Sequence, residues 1–270
     1  MLFRSTDGSS FGYYVVNANQ FYFMSNTNTL EIGQAQTQTG GPFSVATLAN
    51  NTSYVFGSSG DTLNSGPAGI HSAGVFTTDG NGNVTVGTVD YVLDATVNSN
   101  LAVTGGTYTL ASNGRGQLNL TLSGGSISPL IFWMVNGSSA YFLDDNSATA
   151  EDGTFSKQQA APTLSAQAAF VMDGFDAGGF KDRVGDFDST SSTAFNWNQT
   201  ANSFNPTTGI GLVSALGTNG TDTIGSNGRV AATVNGVTTT VVFYLSSTNT
   251  GFMVQEDANI GGAFAQQATQ

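Results

Sequence analysis

The sequence predicts an all-β protein made of tandem antiparallel meander units, each of about eight strands that form a barrel or a sandwich. Apolar and polar residues alternate in stretches such as Gln117–Leu122, which is the period of a strand with one buried face. Asn-Gly and Asp-Gly pairs, which supply the positive φ angles of tight hairpins, recur along the chain. No long stretch has helical periodicity, so strands and turns account for the whole pattern.

An internal repeat is the third observation. The aromatic strands that contain Tyr14, Trp133 and Tyr244 are spaced by 119 and 111 residues, and each is followed by a polar turn and a second aromatic strand. The segment Thr107–Arg115 also matches Thr221–Arg229 at an offset of 114 residues. The repeat unit is therefore about 110 to 120 residues long, the kind of period that marks stacked units.

These matches divide the chain into a partial unit at 1–40 and two full units at 41–160 and 161–270. Residues 1–40 match only about the last third of a unit and should form three or four strands. A further match of Val86–Asp90 with Val184–Asp188 predicts that the second hairpin is shorter in unit two. The strands of unit one are predicted near residues 52–57, 70–78, 83–93, 101–111, 116–123, 129–136, 139–144 and 151–158.

Composition excludes several functions. The chain has no cysteine and one histidine, His71, which removes disulfides, thiolate metal sites and cysteine nucleophiles. Its net charge of −12 argues against nucleic acid as a partner, because that binding needs clustered lysine and arginine. The apolar runs are too short for a membrane span. No secretory signal layout stands at the start, yet the Ser-, Thr-, Asn- and Gly-rich surface favours an extracellular or cell-surface location.

One turn has the spacing of a cation site. Asp79, Asn81 and Asn83, with Asp90 further on, offer oxygen atoms at alternate positions, and calcium binds six to eight such oxygens. Val84 stands where the helix-flanked calcium loop requires glycine, so the alternative is a plain hairpin turn. Calcium is the one cofactor that the sequence suggests.

Catalysis finds little support, and we expect the protein not to be an enzyme. Paired carboxylates could hydrolyse glycosides, but here they fall at strand ends and turns, where aspartate is common. His71 has no counterpart in unit two, and we expect it at the surface or in a hairpin. The acidic residues concerned are Asp144, Asp145, Glu151, Asp152, Asp182, Asp186, Asp188, Glu256 and Asp257.

Two sets of residues are candidates for partner contacts. Arg115 and Arg229 match across the repeats, and each either contacts a partner or bonds to carbonyls or an acid at a barrel rim. Aromatic residues on the late strands either line a sugar-binding surface or fill the core, and the core is the commoner use. They are Phe132, Trp133, Tyr141, Phe243, Tyr244 and Phe252.

Three turn-rich motifs resemble a known group of proteins. Tyr54-Val-Phe, then Ala73 to Val84, then Gly106-Thr-Tyr-Thr and Ser112-Asn-Gly-Arg-Gly are similar to the tandem β-repeat proteins secreted by soil bacteria of the acidobacterial type, which are largely uncharacterised. The resemblance covers both units and the partial unit, although unit two lacks the Asp-Gly-Asn-Gly-Asn turn. It implies a secreted or surface-attached repeat protein without known catalytic residues.

The favoured function is that of an extracellular structural or interaction protein, a subunit of a surface layer, matrix or fibre. Its partners would be other copies of itself, joined by strand addition through Tyr13, Tyr14, Phe21 and Phe23 of the partial unit, because open strand edges invite pairing. The other interpretation of residues 1–40 is that they are the end of a truncated unit. The alternative is a β-barrel module that binds a glycan or a small apolar ligand. A carboxylate glycosidase is the third hypothesis.

Overall fold

The computed structural model describes residues 2–4, 10–25, 32–62, 69–93, 96–164, 167–176, 179–191, 194–205, 207–235, 240–256 and 259–267. These residues form twenty strands and one short 3-10 turn at Val45–Thr47. All the strand pairs are antiparallel, as alternating patterns and short turns predict. No helix within these ranges is long and apolar enough to cross a membrane.

Eight strands of the first full unit close into a barrel, hereafter barrel 1. They are β5 (Thr52–Thr62), β6 (Gly69–Thr78), β7 (Asn83–Leu93), β8 (Thr96–Leu110), β9 (Arg115–Leu122), β10 (Gly125–Asn136), β11 (Ser139–Asp144) and β12 (Thr149–Lys157). Pairing of β12 with β5 completes the ring. The all-β prediction is confirmed, and the architecture is a barrel rather than a sandwich.

The second unit forms a matching ring, barrel 2. Its strands are β13 (Ala168–Asp176), β14 (Gly179–Ser191), β15 (Ala194–Asn205), β16 (Ile210–Ile224), β17 (Arg229–Val234), β18 (Thr240–Ser247), β19 (Thr250–Gln255) and β20 (Asn259–Gln266). The predicted shortening of its second hairpin is wrong. Val86–Asp90 lies on the third strand of barrel 1, whereas Val184–Asp188 lies on the second strand of barrel 2, so five similar residues had been matched across different strands.

The N-terminal residues form half of a unit. Strands β1 (Leu2–Arg4), β2 (Ser10–Asn17), β3 (Gln20–Ser25) and β4 (Ile32–Gln36) make a four-stranded sheet in chain order. Tyr14 pairs with Tyr22 as Trp133 pairs with Tyr141. The sheet therefore corresponds to the last four strands of a barrel, a larger share than the sequence match indicated. We call it the half-unit.

Both barrel interiors are filled with side chains. Phe76 and Phe155 meet edge to face at 5.6 Å in barrel 1, and Phe187 and Phe243 do the same at 5.2 Å in barrel 2. The predicted core role is confirmed for the fully buried Phe132 and for Phe243. Such interdigitated aromatic packing leaves these interiors as cores rather than ligand cavities.

The two barrels pack side by side through their outer faces. Strands β5 to β7 of barrel 1 lie against β18 to β20 of barrel 2. Val55, Val75, Val242 and Tyr244 form part of a separate buried apolar cluster between them. The contact is so close that a Cβ on Gly57 would lie 2.3 Å from the ring of Phe252, so only glycine fits there.

Candidate assembly surfaces

A buried ion pair joins the two barrels. The Asp90 side chain on β7 is 1% exposed and accepts hydrogen bonds from Nε and Nη2 of Arg229, each at 2.7 Å. The hydroxyl of Tyr244 also donates to Asp90, and the Asn100 backbone N–H donates at 2.7 Å. This bidentate pairing fixes the relative position of the barrels, because both bonds form only in one orientation of the guanidinium relative to the carboxylate.

Charge and hydrogen bonding outweigh burial at this ion pair. Burial alone would raise the pKa of Asp90, but the hydrogen bonds from Arg229 and Tyr244 and the guanidinium charge hold it below its ordinary value. Burial and the neighbouring Asp90 raise the pKa of Tyr244. Burial likewise raises the pKa of Glu256, which lies 3.6 Å from Arg229 Nη2 and accepts a hydrogen bond from Ser99. At neutral pH the carboxylate of Asp90 is therefore charged and fully engaged.

Asp90 does not belong with the other predicted calcium ligands. It lies seven residues along β7 from Asn83, roughly 23 Å at about 3.3 Å per residue. The prediction that it shares an ion with the turn is therefore wrong. Its carboxylate instead forms an ion pair with Arg229, which lies 139 positions later in the chain.

The remaining three residues form a self-contained turn between β6 and β7. Asp79 Oδ1 accepts from the backbone N–H groups of Asn81 at 2.7 Å and Asn83 at 3.0 Å, and Oδ2 accepts from the Asn83 side chain at 2.6 Å. The side-chain bond from Asn83 and these backbone bonds lower the pKa of Asp79. Within the described residues, no three acidic or histidine side chains are grouped closely enough to hold a metal ion.

We expect calcium to have only a local effect at this turn. Asp79→Ala should lower the unfolding temperature slightly, by the same amount in calcium and in chelator, because the lost bonds are internal to the hairpin. Asn136→Ala is a matched control, since Asn136 Oδ1 accepts from the Ser138 N–H in another hairpin. A rise of many degrees when calcium is added to the unmodified protein, lost in Asp79→Ala, would contradict this expectation.

The repeat-matched arginines differ in their surroundings. Arg229 bonds to an acid, which was one of the predicted alternatives, and that acid, Asp90, belongs to the neighbouring barrel. Arg115 stands at the equivalent place in barrel 1, because it pairs with Trp133 as Arg229 pairs with Tyr244. Arg115 is exposed, and Trp133 is 46% exposed where Tyr244 is fully buried. Barrel 1 thus presents an uncovered copy of the surface by which barrel 2 holds it.

We call this uncovered surface the seat. It consists of the outward side chains of β10 and β11, which correspond to the residues of barrel 2 that pack on barrel 1. They are Ile131, Trp133, Tyr141 and Leu143, with Arg115 beside them.

The corresponding outer face of barrel 2 has lost its docking residues. Strand registers place Val171 where barrel 1 has Gly57, and Thr200 where it has Asp90. A valine side chain would collide with an aromatic ring seated like Phe252, and threonine offers no charge to an arginine. This face of barrel 2 therefore lacks the two contacts by which barrel 1 docks on barrel 2.

The half-unit exposes apolar side chains on both of its faces. On the inner face Phe11 contacts Phe23 and Tyr13 contacts Phe21, each pair with ring centroids 5.8 Å apart. Tyr14 on the outer face is 72% exposed. Other exposed apolar residues of this sheet are Val15, Val16, Tyr22, Met24 and Ile32. Soluble proteins rarely leave such a patch uncovered.

Equivalent linkers attach successive units. The Gln38 side chain donates to the Met134 carbonyl at 2.7 Å, and Gln158 donates to the Leu245 carbonyl at 2.7 Å. The backbone N–H groups of Thr39 and Gln159 also bond to equivalent strands. The half-unit is therefore joined to barrel 1 in the same way as barrel 1 is joined to barrel 2.

His71 lies in the β5–β6 hairpin, which was one of its two predicted placements, but its side chain is buried in the interface rather than at the surface. The residue is 3% exposed, and the ring lies against Gly261 of barrel 2. Burial lowers its pKa to about 4. Sequence reasoning missed it because a lone histidine carries no signal of which strand face will be covered.

The acidic residues do not form one cluster. Glu151 is buried inside barrel 1 and accepts from Ser58 and Ser72, each at 2.5 Å, and burial raises its pKa. Asp144 accepts from Thr149 at 2.5 Å. Asp182 and Asp186 lie on the outer face of β14, while Asp257 lies outside the described residues.

A groove of about 600 Å³ separates the half-unit from the two barrels. Its walls include the edge strand β4, at Ile32 to Gln34, and the aromatic rings of Trp133, Tyr141 and Phe252. Asp152 and Asp173 also line it, and burial raises the pKa of both. The unpaired edge of β4 thus faces a groove lined by aromatic rings.

No family model, curated protein or solved structure matches this chain. The resemblance to secreted repeat proteins of soil bacteria therefore stays a prediction.

Proposed function

We propose that the protein is an extracellular structural or interaction protein, a tandem β-repeat subunit that assembles with other copies through its half-unit by β-strand complementation. The observation that carries the proposal is the half-unit itself. Its inner aromatic side chains occupy the positions that fill the core of a closed barrel, yet they lie on an open sheet.

The edges of the half-unit supply the means of assembly. Strands β1 and β4 each pair on one side only among the described strands. Unpaired N–H and C=O groups on such edges form a template for strands from another chain. A four-stranded sheet whose inner aromatic face is open gains both hydrogen bonds and buried apolar area when it is completed.

The proposal gives the protein no catalytic role. The buried carboxylates of Asp90 and Glu151 have hydrogen-bond donors from the protein itself, which is what structural acids require. A low content of charged residues, 9%, and an abundance of Ser, Thr, Asn and Gly suit a surface exposed outside the cell.

Disrupting the inner face tests the proposal. We expect Phe21→Asp with Phe23→Asp to abolish self-association measured by sedimentation velocity, because charges on that face oppose burial in a completed core. Barrel 1 and barrel 2 should keep their far-ultraviolet circular dichroism. Unmodified protein that stays monomeric at the highest soluble concentration would refute the proposal.

A second candidate is a binding module for a glycan or a small apolar ligand in the groove. Exposed Trp133 beside Asp152 and Asp173 is the observation that favours it, since aromatic faces stack on sugars and carboxylates bond to hydroxyls. Titration of an oligosaccharide panel against unmodified protein and Trp133→Ala tests it. Binding that Trp133→Ala removes would support this function.

A further inference from the structure

We infer that two copies of this chain join their half-units edge to edge, giving one closed eight-stranded barrel with two-fold symmetry. The inference rests on the proposed function and specifies the partner, the pairing and the end point of assembly.

Strand directions permit this closure. The four strands of the half-unit run alternately up and down in the order β1 to β4. A two-fold axis along the barrel places β4 of one copy beside β1 of the other, running in opposite directions, and it creates the same junction twice. Four strands from each copy give eight, the number that closes both barrels within the chain.

The interior of such a barrel would be filled. In barrel 1 the last four strands contribute Phe132 and Phe155, and Phe155 lies against Phe76 from the first four strands as well as against Phe132. In the shared barrel, each half-unit would supply its inner aromatic residues to the other. Those residues are Phe11, Tyr13, Phe21 and Phe23.

The same closure covers the seat on barrel 1. In this chain the first three strands of barrel 1 lie over the last three strands of barrel 2. Because the linkers through Gln38 and Gln158 are equivalent, the strands that close the half-unit should lie over β10 to β12. The contact there is apolar, because β1 to β3 carry no acid that could pair with Arg115 as Asp90 pairs with Arg229. In the dimer those strands come from the second copy. Its exposed Tyr14 and Tyr22 then cover Trp133 and Leu143 of the first copy.

Two-fold closure also limits assembly to a dimer. The two junctions between β4 of one copy and β1 of the other pair both open edges of each half-unit. The free face of barrel 2 cannot extend the stack by the interface seen between the barrels, since Val171 and Thr200 replace Gly57 and Asp90 there. A closed dimer is the result, and two-fold dimers are the commonest symmetric assemblies.

Mass and tryptophan fluorescence together test the inference. The chain mass is 27.7 kDa, so sedimentation equilibrium should give a species of twice that mass that does not grow with concentration. The chain has two tryptophans, and Trp197 is already fully buried. Emission from Trp133 should shift to shorter wavelength as the dimer forms, and Trp133→Phe should dimerise without that shift.

A charge on the seat should weaken the dimer. Leu143→Lys is expected to raise the dissociation constant by roughly tenfold or more, because a central apolar contact is replaced by a buried ammonium. Val184→Lys, at a similarly exposed valine on barrel 2, is the matched control and should change nothing.

The outcomes separate this inference from the proposed function. Species larger than a dimer would overturn the closed barrel and leave assembly through the half-unit standing. A dimer without the Trp133 shift, or one indifferent to Leu143→Lys, would overturn the covering of the seat. A monomer at all concentrations would overturn both.

Discussion

Asp90→Asn should lower the free energy of unfolding by about 3–5 kcal/mol at neutral pH, the usual cost of removing one partner from a buried ion pair. The substitution removes the charge that Arg229 and Tyr244 face, and it leaves the guanidinium with only the more distant Glu256, at 3.6 Å, as its counter-ion. Chemical denaturation of the full chain, followed by Trp197 fluorescence in barrel 2, measures the loss. We expect the two barrels to unfold in separate transitions once the ion pair is gone.

Two further variants make this test specific. Asp145→Asn alters an exposed aspartate that directly follows β11 and should change stability by less than about 0.5 kcal/mol. Replacing both partners, with Asp90→Leu and Arg229→Met, should recover part of the loss, since neither charge of the pair remains, while Glu256 loses its cation and the Tyr244 hydroxyl its acceptor. Equal destabilisation by Asp90→Asn and Asp145→Asn would show that the ion pair does not hold the barrels together.

The pH dependence of Asp90 has a definite sign. Its folded pKa lies below the ordinary 3.8, so its contribution is complete above that value and is lost as the pH falls through the folded pKa. The difference between the unmodified protein and Asp90→Asn should therefore shrink only in strongly acidic solution.

Acidification from pH 6.5 to pH 4 should destabilise the contact between the barrels by up to about 3 kcal/mol through His71. Burial lowers the pKa of His71 from 6.5 to about 4, so the folded protein holds the neutral ring while the unfolded chain binds a proton. Stability from this residue is complete above pH 6.5 and is lost as the pH falls through that window. Unfolding curves at several pH values measure the effect.

His71→Gln isolates this contribution. The cavity beside His71 is also lined by Asp61, Asp152, Asp173 and Asp182. Burial raises the pKa of Asp152 and of Asp173, so their protonation stabilises the fold as the pH falls, opposite in sign to His71. Without the histidine, the loss of stability between pH 6.5 and pH 4 should disappear or reverse. An unchanged pH profile in His71→Gln would contradict the assignment.

Errors in the sequence comparison came from short matches. Val86–Asp90 and Val184–Asp188 have similar residues at the same positions. Different strands of an eight-stranded meander share such short patterns, so the match did not identify equivalent strands. Only the hydrogen-bond register could show that they are the third and second strands of their barrels. The longer match between Thr107–Arg115 and Thr221–Arg229 held, because it spans a strand end and a turn with a fixed glycine conformation.

The sequence by itself determined the strands, the turns and the repeat, because alternation and hairpin residues act within a few positions along the chain. It also marked the first residues as part of a unit and Arg229 as a residue of interest. Only the tertiary structure decided that Asp90 and His71 lie between the barrels, and that Trp133 stays open where Tyr244 is covered. Those outcomes depend on which part of a barrel's outer surface contacts the other barrel. The sequence alternates in the same way whether an outward side chain is covered by that contact or faces water.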